Sequence, residues 1–509
     1  MRINIALLLV LVLTASSLLV TNSAFSYADI VEDSWTPKAP LPQGKSNLGL
    51  AVVNGKIYAI GGTIRNYLSG WAVGYSGTYE TVNTNYAYDS EADKWITGPH
   101  MPTARHSFAT VVYGNSIYCL GGSYDVGPFP WDGMGVTNAV EVLNLTTNKW
   151  ESKTPMPTRR SKFATMLYED NIYCIGEGIN EVYNIATDTW QTKAAMPFNG
   201  STIMANAVNG KLYLTFDSLI YVYNPATDSW TTKSSIQNEN YGTVSAVIGN
   251  KIYFISVNLT QIYDTETDEV SSGAALHPDY IGNYIGDIAI STTGEIAPER
   301  IYVLDVVTQL TLGIHHEFQV YNPESDSWTI GAKMATARIG VGCVLVDDKI
   351  YAIGGNTATR PPGVPHYYPD ISVTQYATNM EYTPFGYGSV SPKVTVFSPE
   401  SQNYIESSVS LAFAVNRPVV WMGYSLDGQD NVTIAGNTTL SNLPNDSHNL
   451  IVYVKDQAGK TGASEIIDFN IIDTFPSTLI IASVSTIIVV FAIFVYFKKS
   501  KHQTENYKR

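Results

Sequence analysis

Along most of the chain, apolar and polar residues alternate over runs of about five positions bounded by Gly, Asn, Asp or Pro. That is the period of strands with one buried face, and the punctuation of tight turns. The clearest run is Asn54 to Gly62, Asn-Gly-Lys-Ile-Tyr-Ala-Ile-Gly-Gly: a turn pair, a short alternating strand, then two glycines that break it. Its core, an apolar residue followed by Tyr, recurs at Ile57-Tyr58, Ile117-Tyr118, Ile172-Tyr173, Leu212-Tyr213, Ile252-Tyr253, Ile301-Tyr302 and Ile350-Tyr351. The Gly pair recurs at Gly61-Gly62, Gly121-Gly122 and Gly354-Gly355 and is reduced to Gly176-Glu177. A second mark follows most copies: an apolar or aromatic residue, Asn or Asp, a polar turn, then Trp95, Trp150, Trp190, Trp230 or Trp328, with Val270 where the fifth copy expects Trp. Met101-Pro102, Met156-Pro157 and Met196-Pro197 come next, often followed by a basic residue.

Marks recurring together and in this order resemble the kelch repeat, whose blades are four-stranded sheets of roughly 40 to 50 residues. The resemblance implies an all-β fold, a seven-bladed β-propeller with a galactose oxidase-like central domain over residues 33–386. Trp35 precedes the first copy and the seventh copy has no Trp after it, so the N-terminal strand is expected to complete the seventh blade and close the ring. Residues 387–474 change to alternating runs such as Val409 to Val415 and Val419 to Ser425, which predict a small β-sandwich. These runs resemble immunoglobulin-like or fibronectin type III-like modules of archaeal and bacterial surface proteins, with Trp421 as the expected core anchor.

The chain ends carry a different message. Residues 1–28 read as a signal peptide. Residues 478–497 are free of charge, and 20 residues at about 1.5 Å each give about 30 Å, the thickness of a bilayer core. The basic tail 498–509, with Lys498, Lys499, Lys501, Lys508 and Arg509, then places the C-terminus in the cytoplasm and the N-terminal domains outside. The sequons at Asn144, Asn199, Asn258, Asn431, Asn437 and Asn445 are glycosylation candidates of an exported chain. The formal charge is −15 even with that tail, which argues against nucleic acid as a partner. Cys119, Cys174 and Cys343 fall inside strand patterns and are expected to be buried thiols, neither disulfide nor metal ligands.

Function is sought on the long connections. Those after the Gly pair are long and aromatic in three copies: residues 63–84 with Trp71, residues 123–137 with Trp131, and residues 356–378 with His366, Tyr367 and Tyr368. Copies seven, one and two are neighbours in a ring, and the turns entering copies one, two, three and seven carry Lys45, Arg105, Arg160 and Arg338 on the same face. The reading is a membrane-anchored recognition or adhesion protein whose ligand is a protein or a glycan, its carboxylate held by Arg105 and Arg338 and its apolar face stacked on the loop aromatics. No cofactor is expected. Hydrolase, metalloprotease and phosphate-loop motifs are absent. His315, His316 and His366 would be the copper candidates of an oxidase, but no cysteine stands where galactose oxidase has its thioether. The alternatives are an extracellular carbohydrate-active enzyme, of kelch-type mutarotase or oxidase kind, and a structural cell-envelope component.

Overall fold

The computed structural model describes residues 31–472, apart from 67–77, 128–132, 162, 200–203, 238–242, 257, 277–287, 305–306, 310–312, 316–317, 337, 339, 360–371 and 457–458, together with 487–493. It divides into two units, Ile30–Val390 and a second that contains Ser391–Arg509.

The first unit holds seven four-stranded sheets among the described residues. Sheet one is the meander Gly49–Val53, Lys56–Ile60, Asn85–Asp89, Lys94–Thr97. Sheets two to six follow in chain order over 109–153, 164–192, 204–235, 244–273 and 288–331. Sheet seven takes Gly342–Val346, Lys349–Ile353 and Asn379–Thr383, and its outer strand is the N-terminal Ser34–Lys38, antiparallel with Trp35 opposite Tyr382.

Each sheet buries both faces against its neighbours, so the apolar core is divided into wedges. One cluster joins Ala51, Val53 and Ile60 of sheet one to Ile117, Cys119 and Leu143 of sheet two. Equivalent clusters join two to three, three to four, four to five, five to six, six to seven, and seven back to one through Tyr351, Ile353, Ile57 and Tyr88.

The repeat marks explain how neighbours are held. The indole N–H of Trp95, Trp150, Trp190, Trp230 and Trp328 donates to a backbone carbonyl of the preceding sheet, at 2.7–2.9 Å. Trp35 does the same to Ala332, the end of sheet six, and so serves as the tryptophan of sheet seven. A second link uses the aspartate of the third-to-fourth turn, held at φ near +50°, a conformation Asp and Asn tolerate. Asp93, Asp188, Asp228, Asp268 and Asp326 accept the hydroxyl of their own sheet's Tyr and the backbone N–H of the preceding sheet. For sheet seven this aspartate is Asp33, bonded to Tyr382 and Ala332 across the two ends of the domain.

The second unit has a three-stranded sheet of Val394–Ser398, Val409–Val415 and Thr438–Leu440 and a larger sheet around Ser447–Lys455. They enclose Leu411, Phe413, Leu450, Val452, Val454 and Phe469. Trp421 is not in this core, contrary to the sequence expectation. It is half-buried at the start of Trp421–Leu426, where Gly423 leaves room for its ring, and its N–H reaches Thr433 Oγ1 at 3.1 Å.

Among the described residues no helix is long and apolar enough to cross a membrane. Of the apolar run 478–497 only 487–493 is described, and it is helical. The proposed signal peptide and the basic tail lie outside the described residues.

Candidate interaction face

Strands alternate in direction, so the second-to-third and fourth-to-first connections leave each sheet on one face of the ring. On that face the Gly pair and the basic residue form a single lock between sheets. The second glycine of sheet one, Gly62, donates its N–H to the carbonyl of Arg105, which opens sheet two, at 3.0 Å. Gly122 donates likewise to Arg160, and Gly355 to Lys45. The first glycine has no freedom to be anything else. Gly61 and Gly121 sit at φ 58° and 60°, and an added Cβ would come 2.5 Å from the Arg105 or Arg160 carbonyl oxygen.

The side chains of these basic residues turn inward, which corrects their assignment as ligand contacts. Lys45, Arg105, Arg160 and Arg338 are 0–2 % exposed. Arg105 donates to the carbonyls of Cys119, Gly121 and Ala139 at 2.8–3.1 Å and pairs with Glu141 at 3.0 Å, itself bonded by Thr103. Arg160 repeats the pairing with Glu181. Sheets one and seven have Tyr86 and Met380 at the register of that glutamate. There Lys45 lies 4.8 Å from the Tyr86 ring centre and donates to the Ala59 carbonyl, while Arg338 bonds the Gly354 carbonyl and Thr378. Without a carboxylate beside them, burial lowers Lys45 to about 7 and Arg338 to about 10. A cation that caps strand ends satisfies carbonyls the broken ladder leaves open. Buried at 0–2 % exposure, these cations do not reach the surface where a ligand would meet them.

At the entry to sheet four the sequence has Gly200 at the basic position, outside the described residues; beside it Phe198 lies 4.5 Å from the rings of Phe216 and Tyr221.

What the face does offer is built by the long connections. Each rises as a two-stranded hairpin: Thr63–Asn66 with Thr78–Thr81 on sheet one, Ser123–Asp125 with Met134–Val136 on sheet two, Asn356–Thr359 with Ser372–Gln375 on sheet seven. The hairpins touch side by side in the order seven, one, two. Gln375 Nε2 donates to Ser46 Oγ and the Thr63 carbonyl at 3.1 and 2.9 Å, tying hairpin seven to sheet one. Thr81 Oγ1 donates to Asp125 Oδ2 at 2.6 Å and accepts the Asp125 N–H, tying one to two. Nothing in the sequence singles out these three residues, because their pairing depends on which hairpins become neighbours. Tyr124, Val126 and Met134 of hairpin two are exposed. The hairpin tips, with Trp71, Trp131, His366, Tyr367 and Tyr368, lie outside the described residues, as does His316.

Cys119 and Cys174 are buried, and burial pushes both thiols up to about 12, far from a thiolate able to bind metal. Among the described residues no group of three His, Cys, Asp or Glu is placed to hold an ion.

Comparison with known proteins agrees with this architecture. The kelch motif matches residues 44–102 and 104–157. Similar proteins include the Kelch-like protein terF of Aspergillus terreus, 29% identical over 158 residues, which are 31% of this chain and 32% of terF. Kelch repeat protein C2 of cowpox virus is 31% identical over 150 residues, 30% of this chain and 26% of its own. The chain spans about a third or less of the length of these relatives. Among solved structures, a copper-bound fungal alcohol oxidase aligns with 86% of this chain and 99% of its own at a TM-score of 0.51 and 12% identity, a likeness of fold alone. The described residues are nearly all β, and the chain carries kelch repeats.

Proposed function

We propose that this chain is a recognition protein whose seven sheets are the blades of one closed propeller and which binds a protein partner through the wall of hairpins over sheets seven, one and two. The observation that carries this reading is the wall itself. Three insertions far apart in sequence are bonded into one surface by Gln375, Thr81 and Asp125, and exposed Tyr124, Val126 and Met134 give it apolar contacts of the kind protein interfaces centre on. Kelch-repeat relatives support a protein-binding role. Recognition by Arg105 and Arg338 is set aside, since both side chains are buried inside the sheets.

The same proposal keeps the chain at a membrane, with residues 1–28 as leader, 387–474 as an immunoglobulin-like stalk and 478–497 as the span. Its support is the helical stretch 487–493, where Ile487, Ile488, Val489, Val490, Phe491 and Ile493 are all exposed, an arrangement that is costly in water and favourable in lipid.

The test is retention of the detergent-solubilised full-length chain on peptide and glycan arrays. Peptide binding that Tyr124→Ser with Met134→Ser removes, at an unchanged melting temperature, is expected. Equal loss from Lys94→Glu with Lys149→Glu, exposed on the opposite face, would refute the placement, and retention by glycans alone would change the ligand class to carbohydrate.

A further inference from the structure

We infer that the second domain accepts N-linked sugar in the folded chain, at Asn431, Asn437 and Asn445, and that the sequons at Asn144 and Asn258 are by-products of the propeller's own turns. An acceptor must present two groups at once, the asparagine carboxamide and the Ser or Thr hydroxyl two residues on. In the second domain all three sequons do so. Asn431 with Thr433, Asn437 with Thr439 and Asn445 with Ser447 are exposed at both positions. They occupy three successive connections, before Val432–Ile434, before Thr438–Leu440 and before Ser447–Lys455. Asn437 is exposed and anchored through its oxygen, which accepts the Phe413 N–H at 3.0 Å, so that bond does not engage the nitrogen that would carry the sugar.

The sequons at Asn144 and Asn258 are arranged otherwise, while Asn199 is exposed and its Ser201 lies outside the described residues. Asn258 is followed by Thr260, which is fully buried, its Oγ1 accepting the Trp328 indole at 3.3 Å, while the Leu259 carbonyl between them accepts from Ser256. A transferase could reach that hydroxyl only by pulling the strand Thr260–Asp264 out of its sheet. Asn144 is half-buried and holds the third-to-fourth turn, its Oδ1 accepting the N–H of Thr146 and Thr147. Asp89, Asn184, Asn224, Asp264 and Asn322 do this in other sheets, so the turn alone accounts for an asparagine there.

The reaction needs a sugar donor, an oligosaccharide carried on a polyprenyl phosphate or diphosphate. The Asn Nδ2 forms a bond to the anomeric carbon and gives up one proton. The bond from that carbon to the carrier phosphate oxygen breaks, and the carrier leaves with the electron pair.

In the cell this rests on the outward placement proposed above, but the acceptor geometry does not. The folded full-length chain is incubated with a single-subunit oligosaccharyltransferase and its polyprenyl-linked donor, and site occupancy is read by peptide mass spectrometry. Labelling at Asn431, Asn437 and Asn445 at least ten times that at Asn144 and Asn258 is expected, with the difference lost when the chain is first unfolded in urea. Labelling of Asn258 equal to that of Asn431 in the folded chain, or none in the second domain, would overturn the inference. Strong labelling in vitro beside a second domain protected inside intact cells would leave the acceptors standing and remove the outward reading.

Discussion

A guanidinium that solvent does not reach must spend its donors inside the protein, and Arg105 spends them on three carbonyls and Glu141. Arg105→Ala is therefore expected to act on stability first. It leaves a buried carboxylate with only Thr103 as donor and costs about 3–5 kcal/mol, read as a lower denaturation midpoint. Removing both charges with Arg105→Met and Glu141→Met should cost less than the single change. An unaltered midpoint in Arg105→Ala would return the side chain to the surface. Lys45 gives a different signature, because no carboxylate accompanies it. Burial lowers its folded pKa to about 7, below the ordinary 10.5, so between those values the unfolded chain holds a proton that the folded chain lacks. Stability should rise with pH across that window in the wild type relative to Lys45→Met, and level off above it. Parallel curves would show that the amine keeps its ordinary affinity for protons.

At the scale of one strand, the N-terminal Ser34–Lys38 completes sheet seven through Trp35, Asp33 and the ion pair of Lys38 with Glu381. Opposite the repeat tyrosine the other sheets carry Ala87, Val142, Val182, Val222, Ile262 and Val320, and sheet seven alone carries an acid, Glu381. Its carboxylate accepts from Tyr351 and pairs with Lys349 at 2.8 Å and with Lys38 of the closing strand at 3.4 Å. Burial works against the charge, but Lys349, the Tyr351 hydroxyl and Lys38 outweigh it, so the folded pKa lies below 4.5. A depressed carboxylate contributes stability above its unfolded pKa and loses it as pH falls through the folded one. The wild type should therefore lose melting temperature below about pH 4.5 more steeply than Glu381→Gln. Equal acid sensitivity would mean that closure does not depend on this carboxylate. Trp35→Ala, which opens the same seam, is expected to cost about 3–5 kcal/mol.

At the scale of the molecule, the orientation proposal is tested by protease added to intact cells, which should remove both folded domains and spare the basic tail; protected domains would reverse the topology. Much of the fold was legible in the chain because the repeat marks are local. A Gly pair, a Tyr two strands from a Trp and an Asp at a left-handed turn each have a backbone reason that does not depend on the neighbours, and Trp35 could be assigned to the last sheet by counting what that sheet lacked. Residue type and spacing also showed that Lys45, Arg105, Arg160 and Arg338 share one face. They could not show which way the side chains turn, since that depends on whether open carbonyls and a glutamate from another strand lie within reach, as Ala139 and Glu141 do for Arg105. For the same reason the long connections were visible as insertions, but their joining through Gln375, Thr81 and Asp125 was not. By itself the sequence determined the strands, their turns and the repeat, because those follow from one residue's conformation and the period of its neighbours. Tertiary structure decided which charges are buried and which hairpins touch, because hydrogen bonds and desolvation act across distances in space that chain order does not encode.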